Sequence, residues 1–343
     1  MKVGVLTYHG SINPGAFWQA YATCQLIRRL GHDVEIIDYL HCHRHQRGLP
    51  VSLYKIRAWT RPDLLLRRLV QSHYAAKSRR TLPLSQPILT RDELLRVHYD
   101  AVIIGSDVVW EQPIDPVFLG EGISTDRLIA YGASAGGSQA ETSPLPSMME
   151  RRCPFYRISV RDANTLDFLK RGDPSWSQTA SLVSDPTITL EIPEHCRKRP
   201  RKKPYLMVYN SRPLPEEFAS EVQRYADSNN FDVLAVSYKQ RRFKNVIRIS
   251  AYDWMSFLIN ASAVVTNTFH GSVLSCRNRI PLAIVDISRE TLIKSQDQFK
   301  ALGIESHMIS KHEEFASPFD QSLSMDYVPL QKLNRAFLGQ ALE

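Results

Sequence analysis

Ser262-Ala263-Val264-Val265-Thr266-Asn267-Thr268-Phe269-His270-Gly271-Ser272-Val273-Leu274-Ser275 is the stretch that decides the fold. A short apolar run of the kind buried in a parallel sheet stops at a small polar turn, and a helical stretch follows. Strand, turn and helix place His270 at the carboxyl end of a strand, the edge where open α/β sheets bind ligands. Gly271 permits close backbone approach. The helix start offers N–H groups to an anion, so Asn267, Gly271 and Ser272 join His270 as candidate site residues. An imidazole held beside an anion-ready turn is suited to giving a proton to a charged substrate. Taken alone, a histidine at a strand end is more often a structural residue, and its meaning depends on the rest of the chain.

Moving outward, the same grammar recurs. Residues 2–7 read as a strand, and Tyr8 to Gly15 as a turn-rich loop. Phe17 to Leu30 reads as a helix closed by Gly31, and Val34 to Ile37 as the next strand. That is an opening βαβ unit. Ala101 to Gly105 is a continuous apolar strand ending in Ser106-Asp107, and Leu128 to Tyr131 ends in Gly132 to Gly137. Tyr156 to Val160 ends in Arg161-Asp162, and Leu182-Val183 in Ser184-Asp185-Pro186-Thr187. Four successive strands ending in small or charged residues make one polar sheet edge. A basic, proline-containing stretch over 191–204 reads as a linker. The pattern restarts at Tyr205 to Tyr209, which ends in Asn210-Ser211-Arg212. It continues through a helix over Glu216 to Asn229, a strand at Asp232 to Val236, a helix over Tyr252 to Asn260 and strands at Ala263 to Thr266 and Leu282 to Val285. The expected organisation is a domain over 1–190, the linker 191–204, a domain over 205–310 carrying the His270 loop, and a helical segment over 311–343 packing back.

Composition sets the limits. A chain of 343 residues suits two domains, and 43% hydrophobic with 23% charged residues is ordinary for globular cores. No apolar run reaches the roughly 18 residues of a membrane span. The start, Met1-Lys2-Val3-Gly4-Val5-Leu6, reads as a strand and not as a signal peptide. Five scattered cysteines without CxxC spacing read as reduced cytosolic thiols. His41-Cys42-His43-His45 has metal-binding residue types, but adjacent residues do not easily face one ion and no second ligand pair is near. The net charge of +8 favours acidic partners, and no nucleic-acid module accompanies it. Residues 53–82 are basic and helical in pattern. They read either as a solvated face over a packed stripe or as a contact surface for an anionic acceptor or anionic lipid headgroups.

Several of these segments together resemble the polysaccharide pyruvyl transferase family. Asn13-Pro14-Gly15-Ala16-Phe17-Trp18-Gln19-Ala20-Tyr21-Ala22 is similar to its first loop and helix. Gly105 to Trp110 is similar to its GSDxxW segment, Ser159 to Asp162 to its SVRD segment, Asp185 to Thr187 to its DPT segment, and Thr266 to Gly271 to its T(N/D)(S/T)FHG segment. The likeness runs over about residues 3–305. Val108 stands where a glutamine is common, and Pro14-Gly15-Ala16 replaces a Gly-Asp form. The resemblance implies a GT-B-like α/β fold, two Rossmann-type doubly wound halves facing a central cleft. It also implies transfer of pyruvyl from phosphoenolpyruvate to two hydroxyls of one sugar, in a cell-surface glycan or its lipid-linked precursor, as a cyclic ketal.

Such a reaction assigns roles to residues. Arg161, Arg212 and Arg277 are candidate cations for the donor's carboxylate and phosphate. His270 either protonates the enol carbon or takes the proton of the attacking hydroxyl. Asp107 is a partner base, a ligand for an acceptor hydroxyl, or a helix cap; Ser106 and Asn13 line the same edge or hold its turns. Asp162 is an ion-pair partner of Arg161 or a cap, Asp185 belongs to a turn or to the site, and Trp110 is core or a stacking platform. No cofactor and no metal are expected, with phosphoenolpyruvate as donor substrate and a saccharide or lipid-linked oligosaccharide as acceptor. The expected location is cytoplasmic, with peripheral contact at an anionic membrane surface. The alternatives are a GT-B-like glycosyltransferase using a nucleotide sugar and a non-catalytic binder of anionic glycan.

Overall fold

The computed structural model describes residues 1–39, 62–138, 154–172, 174–286, 295, 298–323 and 326–343. The cluster His41-Cys42-His43-His45 and the basic residues Lys55, Arg57 and Arg61 lie outside them. Two compact units emerge, one of Met1–Lys55, Arg79–Glu191 and Val328–Glu343, the other of Ile56–Ser78 and Ile192–Tyr327.

The first unit holds a parallel sheet of strands β1 (Lys2–Leu6), β2 (Asp33–Ile36), β3 (His98–Ile104), β4 (Ser124–Ala133), β5 (Arg157–Val160) and β6 (Ala180–Leu182). Their order is β2-β1-β3-β4-β5-β6. The chain winds from β1 to one side, returns, and winds to the other, so the switch point lies between β1 and β3. Val3, Val5, Ala101, Val102, Ile103 and Ile104 are wholly buried, which is why β1 and β3 read as apolar runs without alternation.

The second unit holds β7 (Tyr205–Tyr209), β8 (Asp232–Val236), β9 (Lys244–Val246), β10 (Ala263–Thr266), β11 (Leu282–Val285) and β12 (Met308–Ile309), ordered β12-β11-β10-β7-β8-β9. Its first strand, β7, is central between β8 and β10, which is the Rossmann order with the switch point between β7 and β10. The strand reading holds for β7, β8, β10 and β11. The short β9 and β12 carry too few residues to show a period.

The longer helices are α1 (Pro14–Arg29), α2 (Pro62–Arg79), α3 (Ala163–Gly172), α4 (Glu216–Ser228), α5 (Ala251–Ile259), α6 (Phe269–Arg277) and α7 (Val328–Leu342). The units do not follow chain order as the expected boundaries do. Nearly all of α2 belongs to the second unit: Gln71 donates to the Ser237 carbonyl at 2.5 Å, and the Ser78 hydroxyl accepts from Ala251 N at 2.8 Å. The expected linker also goes with the second unit, where Arg201 and Lys203 pair with Asp232. Helix α7 returns to the first unit. Phe337 stacks on Tyr131, and the buried Asn334 both accepts from Ser184 N (3.0 Å) and donates to Ser184 O (2.9 Å).

Asn334→Ala strands both backbone groups of Ser184, at about 1–3 kcal/mol for a buried group left unsatisfied. We expect a lower thermal midpoint together with faster amide hydrogen exchange over residues 328–342. Unchanged exchange there would show that other contacts hold α7.

Candidate active site

In the second unit the turn after β10 is locked by hydroxyls. Thr266 Oγ1 donates to the Tyr209 carbonyl across the switch point (2.7 Å), accepts from Thr268 N (3.0 Å) and lies 2.9 Å from Thr268 Oγ1. Thr268 is the N-cap of α6, its hydroxyl accepting from Gly271 N at 3.2 Å. His270 therefore sits in the first turn of α6, only 6% exposed, with Phe269 packed edge-on against it at 5.2 Å. Gly271 is needed for space. A Cβ there would lie 2.5 Å from Thr266 Oγ1, 2.6 Å from Thr268 Oγ1 and 2.9 Å from the Tyr209 ring. Ser272 turns its hydroxyl back to the Thr268 carbonyl (3.0 Å), so it holds the turn.

Across the switch point, Asn267 Oδ1 accepts from Ser211 N (2.9 Å) and Ser211 Oγ (3.2 Å), tying the two strand-end loops together. The buried Gln240 donates to the Asn210 and Arg212 carbonyls and accepts from Leu214 N. Arg212 is thus fixed by its backbone while its side chain is exposed. Asn210 is 3% exposed, and its Oδ1 has no hydrogen-bond partner among the described residues. Arg277 does not join this group. It lies in the last turn of α6, eight residues on from Phe269 and so about 12 Å along the axis, where its charge suits the helix C-terminus.

The first unit's carboxyl edge has another character. Thr7 Oγ1 donates to the Ser106 carbonyl (2.8 Å) and Ser106 Oγ to the Gly132 carbonyl (2.9 Å), so the Ser106 hydroxyl serves the fold. Asp107 has φ +80°, a conformation uncommon for a side-chain-bearing residue. Its Oδ1 accepts from the next amide, Val108 N, at 2.9 Å. Its carbonyl accepts from Ser134 N at 3.1 Å, which carries the β3–β4 pairing one step further. Asn13 caps α1 by accepting from Gly15 N. Trp110 is core, fully buried with Nε1 donating to the Phe118 carbonyl.

Arg161 is 6% exposed and pairs with Asp185 at 2.6 Å. Burial opposes its charge, but Asp185, Asp107 and Asp162 outweigh burial and raise its pKa. Asp185 also caps a short 3₁₀ turn by accepting from Thr187 N and Oγ1. Asp162 caps α3 by accepting from Thr165 N (2.7 Å) and Oγ1 (2.6 Å), and its burial raises its pKa. The guanidinium assigned to an anionic ligand is therefore engaged with a carboxylate, and three carboxylates surround it.

A further group escaped the sequence reading. His9, buried after β1, places Nε2 3.3 Å from Asp38 Oδ1 and Nδ1 3.0 Å from the Thr7 carbonyl, and Arg79 pairs with Asp38 Oδ2. Burial alone would raise the Asp38 carboxyl. Hydrogen bonding to His9 and the charge of Arg79 outweigh it and hold its pKa below the ordinary value. Gln19 backs this edge, its amide nitrogen donating to Thr7 Oγ1 and the Tyr8 and Ala16 carbonyls. Among the described residues one set has metal-ligand spacing, His98, Asp100 and Asp126, whose ligand atoms lie within 4.8 Å of one another. It stands at the amino end of the sheet, away from the carboxyl edge.

Two measurements test these couplings. Gly271→Ala is expected to cost about 1–3 kcal/mol by overpacking against Thr266, Thr268 and Tyr209; an unchanged urea midpoint would refute the tight fit. Because the folded pKa of Asp38 is depressed, its contribution is present above the unfolded value near 4 and is lost as pH falls through the folded value. Asp38→Asn, which breaks a buried pair, is expected to cost about 3 kcal/mol at neutral pH and to converge with the parent in strong acid. Parallel stability curves across that range would rule out this linkage.

Comparison with solved structures gives UDP-GlcNAc 2-epimerase from Methanocaldococcus jannaschii at TM-score 0.55 and 9% identity, covering 98% of each chain. UDP-GlcNAc 2-epimerase from Neisseria meningitidis bound to UDP-GlcNAc follows at TM-score 0.52 and 10% identity, covering 100% of this chain and 99% of that one. At such identities the likeness shows the fold alone, a GT-B-like α/β architecture. No curated protein matches the chain. A sequence family described as polysaccharide pyruvyl transferase matches residues 13–289.

Proposed function

The chain belongs to the polysaccharide pyruvyl transferase family and is a transferase of polysaccharide biosynthesis, and from that premise we propose that it moves the pyruvyl group of phosphoenolpyruvate onto two hydroxyls of one sugar in a cell-surface or exopolysaccharide glycan. The observation that carries the reading is His270, held in the first turn of α6 at the switch point of a Rossmann sheet. In this scheme the second unit takes the anionic donor. Its strand-end loops present His270, the α6 amino end and the exposed Arg212. The first unit's carboxyl edge, where Asp107, Asp162 and Asp185 surround Arg161, is by its charge the poorer anion site.

The reaction balances without a resident cofactor. His270 gives a proton to the methylene carbon of phosphoenolpyruvate, and positive charge develops at the carbon bearing phosphate. A sugar hydroxyl forms the first C–O bond there and releases its proton, which restores His270. The C–O bond to phosphate then breaks. The second hydroxyl forms the second C–O bond, and its proton leaves with phosphate as hydrogen phosphate. Asp107, buried at the end of β3, is the first unit's candidate to accept a hydroxyl hydrogen bond. Its charge acts on the buried Arg161, which pairs with Asp185 at 2.6 Å. We place the enzyme in the cytoplasm, acting on a free or lipid-linked saccharide.

The test begins with thermal shift against phosphoenolpyruvate and a panel of nucleotide sugars, followed by phosphate release with candidate acceptors. Stabilisation by phosphoenolpyruvate is expected, and His270→Gln should lower phosphate release about 10²–10⁴-fold with an unchanged melting midpoint. Stabilisation by a nucleotide sugar alone would overturn pyruvyl transfer in favour of glycosyl or sugar-nucleotide chemistry.

A further inference from the structure

Helix α2 presents two opposite faces. Gln71 and Ser78 bind it to the second unit, and with Tyr74 they fall on one side at the helical repeat. On the other side Leu66, Leu69, His73, Ala76 and Lys77 are all exposed and fall within an arc of about 100°. Leu66 is 64% exposed and Leu69 40%, one turn apart, and Leu66 is the most exposed large apolar side chain among the described residues. No acidic residue lies between Asp63 and Asp92. Of the cations in that span, Lys77 falls on this arc, Arg68 is exposed at its flank and Arg80 is exposed just past the helix end, whereas Arg79 pairs with Asp38. Lys239 and Arg241, just beyond the Ser237 that Gln71 contacts, are exposed as well.

We infer that this face of α2 docks on an anionic lipid surface, the leucines entering the headgroup–acyl boundary and the cations meeting lipid phosphates. Two exposed leucines bind a bilayer weakly, and basic residues beside them supply the second attraction that peripheral binding requires. Charge selects this occupant over a second copy of the chain, since self-association through this face would oppose like charges. A consequence follows for the site. Ser237 follows the carboxyl end of β8, the strand paired with β7, so α2 is seated on the sheet edge that carries Asn210 and His270. Docking by α2 would bring that edge to a membrane-borne acceptor. This consequence rests on the proposed transfer reaction, while the docking itself does not.

The probe is flotation of the full chain with vesicles of phosphatidylcholine, with and without phosphatidylglycerol, at low and high salt. Binding is expected only to the phosphatidylglycerol vesicles, and it should fall as salt rises. Leu66→Glu with Leu69→Glu should weaken it at least about tenfold, since each change removes apolar burial and adds repulsion. Arg68→Glu with Lys77→Glu should do the same while leaving the melting midpoint unchanged. No binding to anionic vesicles, or binding indifferent to both double variants, overturns the inference. So does light scattering that shows the leucine variant converting a dimer to a monomer, which would make a second copy the occupant. Soluble-donor turnover is measured in parallel, so failure of docking is distinguishable from failure of the transfer reaction.

Discussion

The Thr266 hydroxyl is the fastening on which the second unit's edge depends. It is fully buried, gives its proton to the carbonyl that ends β7 and accepts from the amide that begins the next helix. A parallel sheet's strands diverge in connection at the switch point, because the helices that follow them go to opposite faces. That opening gives a ligand access, and it also leaves backbone groups without ladder partners. Thr266 and Asn267 satisfy those groups with side chains, so the crevice stays open while its walls stay fixed. His270 inherits its position from this arrangement and from the absence of a Cβ at Gly271.

The two carboxyl edges differ in their electrostatics. One buries an arginine among three carboxylates and holds one of them, Asp107, in a left-handed backbone conformation. The other has a histidine, amide dipoles and an exposed arginine, with backbone carbonyls tied off by Gln240.

The strand ends were legible in the sequence because buried parallel strands are apolar without interruption, and each stops abruptly at a polar residue. The turn Thr266 to Gly271 was legible for the same reason, aided by the glycine. What the sequence hid were partners distant along the chain. Arg161 looked available because its neighbour Asp162 was the visible counter-charge. The actual partner, Asp185, comes 24 residues later. His9, Asp38 and Arg79 meet only because β1 and β2 lie side by side and α2 ends near them, and no local period announces that. Arg277 was assigned by sequence distance, but the helix carries it away from the strand end. The expected boundary at 190 did not anticipate that most of α2 belongs to the second unit, because the bonds that hold it there run to Ser237 and Ala251, far along the chain.

The return of α7 to the first unit has a consequence for how the chain is made. The first sheet is complete once β6 has been synthesised, but its last covering helix, the 15 residues of α7, follows the entire second unit. Until α7 is made, the Tyr131 ring lacks its Phe337 stacking partner and the Ser184 backbone lacks Asn334. Each unit also borrows a segment threaded through the other's place in the chain, so neither can be excised as one continuous piece.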